Sequence, residues 1–275
     1  MTIWDSIILG IVEGLTEFLP VSSTGHLTIV SKMLGLKIDD PSITGFTAVI
    51  QVGAIIAVVL YFWKDIVRII GAWVGGLANR ERREEFDYRM GWYVIVGSLP
   101  IGIVGFLAKD LISGPLRSLW WVAGALIVWS VVMVAAERLS SKARPLTRIT
   151  FLDSLVMGLV QCLALIPGVS RSGATISAGL FRGLDRVAAT RVSFLFGIPA
   201  LAGAGVYELK DALSGTVGAA PLLVGTVVSF VVAYASIAWL LRFVAKHSIE
   251  LFAFYRVLLG IVLLILLSTS TITAT

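Results

Sequence analysis

Long apolar runs separated by short polar segments dominate the chain. Six of them, at about 46–63, 91–108, 119–136, 191–208, 219–241 and 251–268, contain few or no charged residues. A helix of that length, at 1.5 Å rise per residue, crosses or nearly crosses a hydrocarbon core of about 30 Å. The pattern therefore predicts six transmembrane helices. Pro100 and Pro199 fall inside two of the runs, which is tolerable where neighbouring helices re-satisfy the freed backbone groups.

Two further apolar stretches, 6–19 and 151–166, are shorter. Each ends in a proline followed by small polar residues, "LPVSSTG" and "IPGVSRSG", and each is followed by a second short apolar segment, at about 25–36 and 173–181. Short apolar, then Pro/Ser/Gly, then short apolar is the pattern of a re-entrant hairpin. The two hairpins also match one another. Val21-Ser22-Ser23-Thr24-Gly25 aligns with Val169-Ser170-Arg171-Ser172-Gly173, Glu13 aligns with Gln161, and "VGAIIAVVLYFWKD" (52–65) echoes "FGIPALAGAGVYELKD" (196–211). Three spans follow each hairpin, and an odd number of crossings turns the second half over. The expected fold is an all-α integral membrane protein, one polytopic domain over 1–275. Its six transmembrane helices and two re-entrant hairpins would form an inverted-topology repeat with halves at about 1–140 and 151–275. A site in such a repeat is expected where the broken helices meet near the midplane.

Composition supports the membrane reading, since 57% of the residues are hydrophobic and only 14% charged. The net charge of +5 comes from loop residues rather than a basic stripe interleaved with aromatics, so nucleic acid is not an expected partner. Fifteen Lys and Arg lie in the segments 64–90, 137–150, 182–191 and 242–250, against five (Lys32, Lys37, Lys109, Arg117 and Lys210) on the other side. The positive-inside rule makes the first side cytoplasmic and places the first hairpin, with both termini, toward the outer side. "RERREEFDYR" (80–89) reads as a solvated loop or surface helix, and Trp63, Trp92, Trp120 and Trp121 read as interface anchors. "MTIWDSIILG" has Asp5 and no basic residue ahead of its apolar part, so no cleavable signal is expected. Single Cys162 excludes an intrachain disulfide and a multi-cysteine metal site.

Candidate chemistry collects in the hairpins. Glu13 and Glu17 are four apart and project from one helix face, where they suit a metal-binding pair or an acid–base pair. Ionisable groups among apolar membrane residues are functional by default because they are costly to bury. His26, after Ser22, Ser23 and Thr24, opens the second helix of its hairpin and could be nucleophile, base or hydrogen-bond partner. In "PGVSRSGAT" Gly168 and Gly173 permit close backbone approach, Ser170, Ser172 and Thr175 supply hydroxyls, and Arg171 offers a planar fork for phosphate oxygens. Its partner is Glu17, Glu13 or a substrate phosphate. Gln51 is expected to be satisfied across a helix interface, Arg256 to snorkel to the cytoplasmic surface, and His247 to be solvated.

"EGLTEFLPVSSTGH" and "PGVSRSGAT" resemble the paired signatures of the BacA-type undecaprenyl-diphosphate phosphatases, and the likeness runs along nearly the whole chain, including "VIQVGAIIAVVLYFW" and "LVQCLALIPG". The resemblance implies a multi-pass enzyme of the bacterial inner membrane. Such an enzyme removes the terminal phosphate of a polyprenyl diphosphate in a pocket open to the periplasm, which recycles the cell-wall lipid carrier and confers bacitracin resistance. It further implies that Glu13 and Glu17 handle a divalent cation, Mg²⁺ or Ca²⁺, and proton transfer. Arg171, Ser170, Ser172 and Thr175 would clamp the diphosphate, while Ser23, His26 or water attacks phosphorus. Broken helices in an inverted repeat are also carrier architecture, so a transporter or flippase for a phosphorylated polyprenyl lipid is the alternative. A homodimer is expected from common symmetry alone.

Overall fold

The computed structural model describes residues 1–37, 40–113, 116, 118–212 and 217–274. In chain order the helices are α1 (Ile3–Thr16), α2 (Ser23–Met33), α3 (Pro41–Tyr61), α4 (Trp63–Ala78), α5 (Phe86–Leu107), α6 (Lys109–Ser113), α7 (Leu119–Leu139), α8 (Phe151–Gln161), α9 (Arg171–Phe181), α10 (Arg186–Ala212), α11 (Ala219–Val244) and α12 (Glu250–Ser268). No strand occurs among the described residues. Six helices, α3, α5, α7, α10, α11 and α12, are long and apolar enough to cross a membrane, and each overlaps one of the predicted runs.

The two hairpins share local chemistry. α1 opens on a capping box between Thr2 and Asp5, and α8 on one between Thr150 and Asp153, so that each helix start satisfies its own orphan N–H groups. Each chain segment then reverses through a serine with positive φ, Ser22 at 78° and Ser170 at 76°, a conformation uncommon outside glycine. Each serine turns its Oγ to the next helix and accepts from the amide of Gly25 or Gly173. The helices that follow, α2 and α9, are both 11 residues long.

Glycines let the hairpins dock backbone to backbone. A Cβ on Gly10 would stand 2.6 Å from the Gly225 carbonyl oxygen, and one on Gly158 would stand 2.7 Å from that of Gly97. Gly10 and Gly158 occupy equivalent positions of the two hairpins. α1 thus packs on α11 and α8 packs on α5, each hairpin against a span from the opposite half.

Ion pairs gather the basic segments into one layer at one end of the bundle. Arg191 meets Asp65, Arg68 meets Asp87, Arg138 meets Glu250, Arg186 meets Glu137, and Asp153 is held between Arg144 and Arg182. At the opposite end Lys32 donates to the Thr273 carbonyl and the Leu119 amide to that of Ala274. Arg117 lies outside the described residues, as does the side chain of Lys210.

Asp153 yields a pH prediction. Its burial pushes the carboxyl pKa up, but hydrogen bonds from Arg144, Arg182 and Thr150 outweigh this and bring it to about 2. An ordinary aspartate titrates near 3.9, so the unfolded chain binds this proton first as pH falls. The stabilisation is complete above about pH 4 and disappears as pH drops toward about 2. Asp153→Asn should lower the unfolding temperature in detergent at neutral pH, with the gap to wild type closing across that window; a gap constant with pH would refute the assignment.

One segment departs from expectation. Residues 64–90 were expected to form a loop, yet α4 occupies their first half. Trp63, Val67, Ile70, Val74 and Leu77 recur at helical spacing and face outward, while Ile69, Ala72 and Gly76 are buried, with the Tyr88 ring filling the space beside Gly76. Such a one-sided apolar helix, too short to span, suits the membrane surface. Residues 79–85, with a short 3₁₀ turn at 81–84, retain the expected exposed character.

Candidate functional site

The starts of α2 and α9 converge on one carboxylate. Glu17, just past the end of α1 and 6% exposed, accepts from Ser23 Oγ at 2.7 Å on Oε2 and from Arg171 at 3.3 Å on Oε1. Ser23 is the first residue of α2 and Arg171 the first of α9, equivalent positions in the two hairpins. The two hairpins therefore present different side chains, a hydroxyl and a guanidinium, to the same acid. Glu13 lies one turn earlier on α1, 1% exposed. Gln161, its counterpart on α8, is fully buried and donates to the Gly97 carbonyl.

Arg171 is held from behind. One terminal nitrogen donates to the Ser193 carbonyl at 3.2 Å, and the guanidinium fills space that exists only because residue 197 is glycine: a Cβ there would come within 1.9 Å of it. Its Nε, buried, has no hydrogen-bond partner among the described residues. An anion at a helix start can satisfy a buried N–H of this kind.

The remaining serines and threonines divide by exposure. Ser172 and Thr175 are fully buried and bond within the protein, Ser172 Oγ to the Leu19 carbonyl at 3.0 Å and to Ser170 Oγ at 3.1 Å, Thr175 to the Arg171 carbonyl and to Ser193 Oγ. Ser172 thus braces the second turn against the first, and Thr175 ties it to α10. Ser22 is buried, Ser23 half-buried and Thr24 exposed, so the open side of the site lies along the first hairpin. Gly173 gives its amide to Ser170 Oγ, and the close approach that Gly168 permits (φ 102°) is to α7, where a Cβ would stand 2.6 Å from the Val122 carbonyl oxygen.

His26 is engaged at both ring nitrogens. Nδ1 lies 2.7 Å from the Ser22 carbonyl and Nε2 2.6 Å from the Tyr255 hydroxyl, with the two rings stacked. A carbonyl only accepts, so Nδ1 carries the proton; in the neutral ring Nε2 then accepts from Tyr255. Ser23 has an acid within reach, whereas the His26 nitrogen that could attack is already capped.

Arg256 corrects the sequence reading. Expected at the membrane surface, it is 0% exposed and donates inward, to the carbonyls of Pro20 and Gly168 and to Ser130 Oγ. Sequence reasoning also missed Ser193, Gly197 and Tyr255. Ser193 and Gly197 carried a readable signal: two small residues four apart in a large apolar run share one helix face. Tyr255 carried none.

A bundle of membrane-spanning helices, with an acid, a hydroxyl and a cation brought together where two broken helices meet, defines a multi-pass membrane protein with a buried polar centre. A family model described as "Bacitracin resistance protein BacA" matches residues 6–262, and the chain belongs to that family. Among its curated relatives, "Undecaprenyl-diphosphatase 1" of Streptomyces avermitilis is 57% identical over 99% of both chains. The protein of that name from Streptomyces coelicolor is 58% identical over 99% of this chain and 98% of its own. "Undecaprenyl-diphosphatase" of Corynebacterium diphtheriae is 52% identical over 98% and 96%.

Proposed function

We propose that this chain hydrolyses undecaprenyl diphosphate to undecaprenyl phosphate and inorganic phosphate. The observation that carries the reading is the Glu17 carboxylate, which joins a hydroxyl from one hairpin to a guanidinium from the other. The end-to-end likeness to undecaprenyl-diphosphatases supports it.

Ser23 is the nucleophile in this reading. Its hydroxyl already points its proton at Glu17 Oε2. Glu17 takes that proton as Ser23 Oγ bonds to the terminal phosphorus. The bond from phosphorus to the bridging oxygen breaks, and undecaprenyl phosphate leaves. The leaving phosphate carries off the proton from Glu17, which restores the carboxylate. Glu17 then takes a proton from water as that water attacks the phosphoserine. The bond from phosphorus to Ser23 Oγ breaks, and the proton passes from Glu17 back to Ser23 as phosphate is released. Arg171 turns from Glu17 to the terminal phosphoryl oxygens and offsets charge that grows as the bond breaks. His26, through Ser22, keeps the strained turn in place.

Glu13 and Glu17 supply hard oxygen donors, and Mg²⁺ is commonly held by one or two carboxylates completed by substrate phosphates. They fit such an ion, with Ca²⁺ as the other candidate; no larger cluster of acidic, histidine or cysteine side chains exists among the described residues. A bound cation would supply charge neutralisation on the diphosphate. The substrate's tail stays in lipid while its head reaches the exposed first hairpin laterally. The fifteen-to-five division of loop cations supports placing that hairpin on the periplasmic side of an inner membrane.

The purified chain in detergent should release phosphate from undecaprenyl diphosphate. Acid quenching with substrate labelled in the terminal phosphate should leave label on Ser23, absent in Ser23→Ala. Label on His26, or turnover with no covalent label, would transfer the attack to the imidazole or to water. No release at any divalent-ion concentration would favour a carrier.

A further inference from the structure

The chain has 22 Lys and Arg, and twenty of them lie in the loop segments counted above. The other two are Arg171 and Arg256. Arg171 faces the diphosphate site. Arg256 has no place in the chemistry just described, yet no carboxylate pairs with it among the described residues and it is fully buried. A cation in that setting persists only if its donors are satisfied. They are: Nε meets Ser130 Oγ at 3.2 Å, one terminal nitrogen meets the Pro20 carbonyl at 3.2 Å, and the other meets the Gly168 carbonyl at 2.9 Å.

The two carbonyls are equivalents. Pro20 precedes the positive-φ Ser22 by two residues and Ser23 by three. Gly168 stands in the same relation to Ser170 and Arg171. One planar fork on α12 therefore holds matching points of both turns, just behind the two side chains that meet at Glu17. All three guanidinium nitrogens are thus engaged by the protein, and the side chain is fully buried. A lysine would put a single ammonium where two carbonyls need two directed N–H donors, so it would keep the charge and lose the geometry.

We propose that Arg256 is a positioning residue that fixes the spacing between Ser23 and Arg171, and so between nucleophile and phosphate clamp. The proposal rests on the phosphatase reading above. A positioning role predicts a loss in kcat with little change in KM, because misalignment acts at the transition state, where an ångström of misplacement costs on the order of 100-fold.

Arg256→Lys, purified as a monodisperse folded protein, should turn over undecaprenyl diphosphate roughly 100-fold more slowly than wild type, with KM within about 3-fold. Combining it with Arg171→Lys should give less than the product of the two losses, since both act on one alignment. A kcat within about 3-fold of wild type, or a raised KM at unchanged kcat, overturns the proposal. Should Arg256→Lys not fold, Ser130→Ala decides. It frees Nε without touching either turn, and it should lower kcat several-fold at constant KM; an unchanged kcat overturns the proposal. Wild type that releases no phosphate counts against the phosphatase reading instead. Positioning is then read from amide hydrogen exchange, which Ser130→Ala and Arg256→Lys should accelerate together at 22–25 and 170–173; acceleration in neither turn, or in one alone, overturns it.

Discussion

Replacing Arg171 by alanine should slow phosphate release at least ~10³-fold, the scale on which arginines act in phosphoryl transfer. That is about 4 kcal/mol of transition-state stabilisation. The large effect follows from where the guanidinium sits. It lies in a pocket that Gly197 leaves open, its side chain is only 9% exposed, and its buried Nε has no partner among the described residues. Little water can replace it there, so charge building on the leaving phosphate would go unmatched. KM should rise as well, because in the proposed reading the same fork holds the diphosphate before reaction. Arg171→Lys should recover only part of kcat, since an ammonium cannot present two parallel donors. Phosphate release measured against substrate concentration separates the two effects. An alanine variant within tenfold of wild type would remove Arg171 from the active centre.

Glu17→Gln is expected to lower kcat by about 10²–10⁴, the range for loss of a positioned general base. The substitution keeps the shape and can still accept from Ser23, but it can no longer take a proton. Arg171 would lose its only carboxylate partner among the described residues, so a lower unfolding temperature should accompany the kinetic loss. Ser23→Ala should cost a comparable factor in kcat, and the double variant scarcely more than either single one, because the two residues act as a unit. Additive losses would show instead that Glu17 serves the diphosphate or a cation rather than Ser23. The pair of rates with and without Ser23 settles that question.

Much of this architecture was written in the order of apolar residues. The six spans were legible because their runs are long and almost free of charge. The hairpins were legible because their runs stop short at proline and serine. The matched pentapeptides 21–25 and 169–173 even placed Ser23 opposite Arg171. α4 escaped notice for a physical reason: Lys64, Asp65 and Arg68 cut its apolar run to residues 69–78, too short to read as a span. Arg256 was misplaced because a single arginine in a span can snorkel or turn inward, and nothing in the local sequence says which face of α12 meets the bundle. The acceptors that decide the matter, at Pro20, Ser130 and Gly168, are distant in sequence. Tyr255 was invisible for the same reason.

The sharing of Glu17 between Ser23 and Arg171 has a consequence for dissecting the chain. In the proposed reading neither hairpin is sufficient by itself, since one brings the acid and the hydroxyl and the other the guanidinium. Fragments carrying one hairpin each would then stay silent apart and regain turnover only when co-assembled.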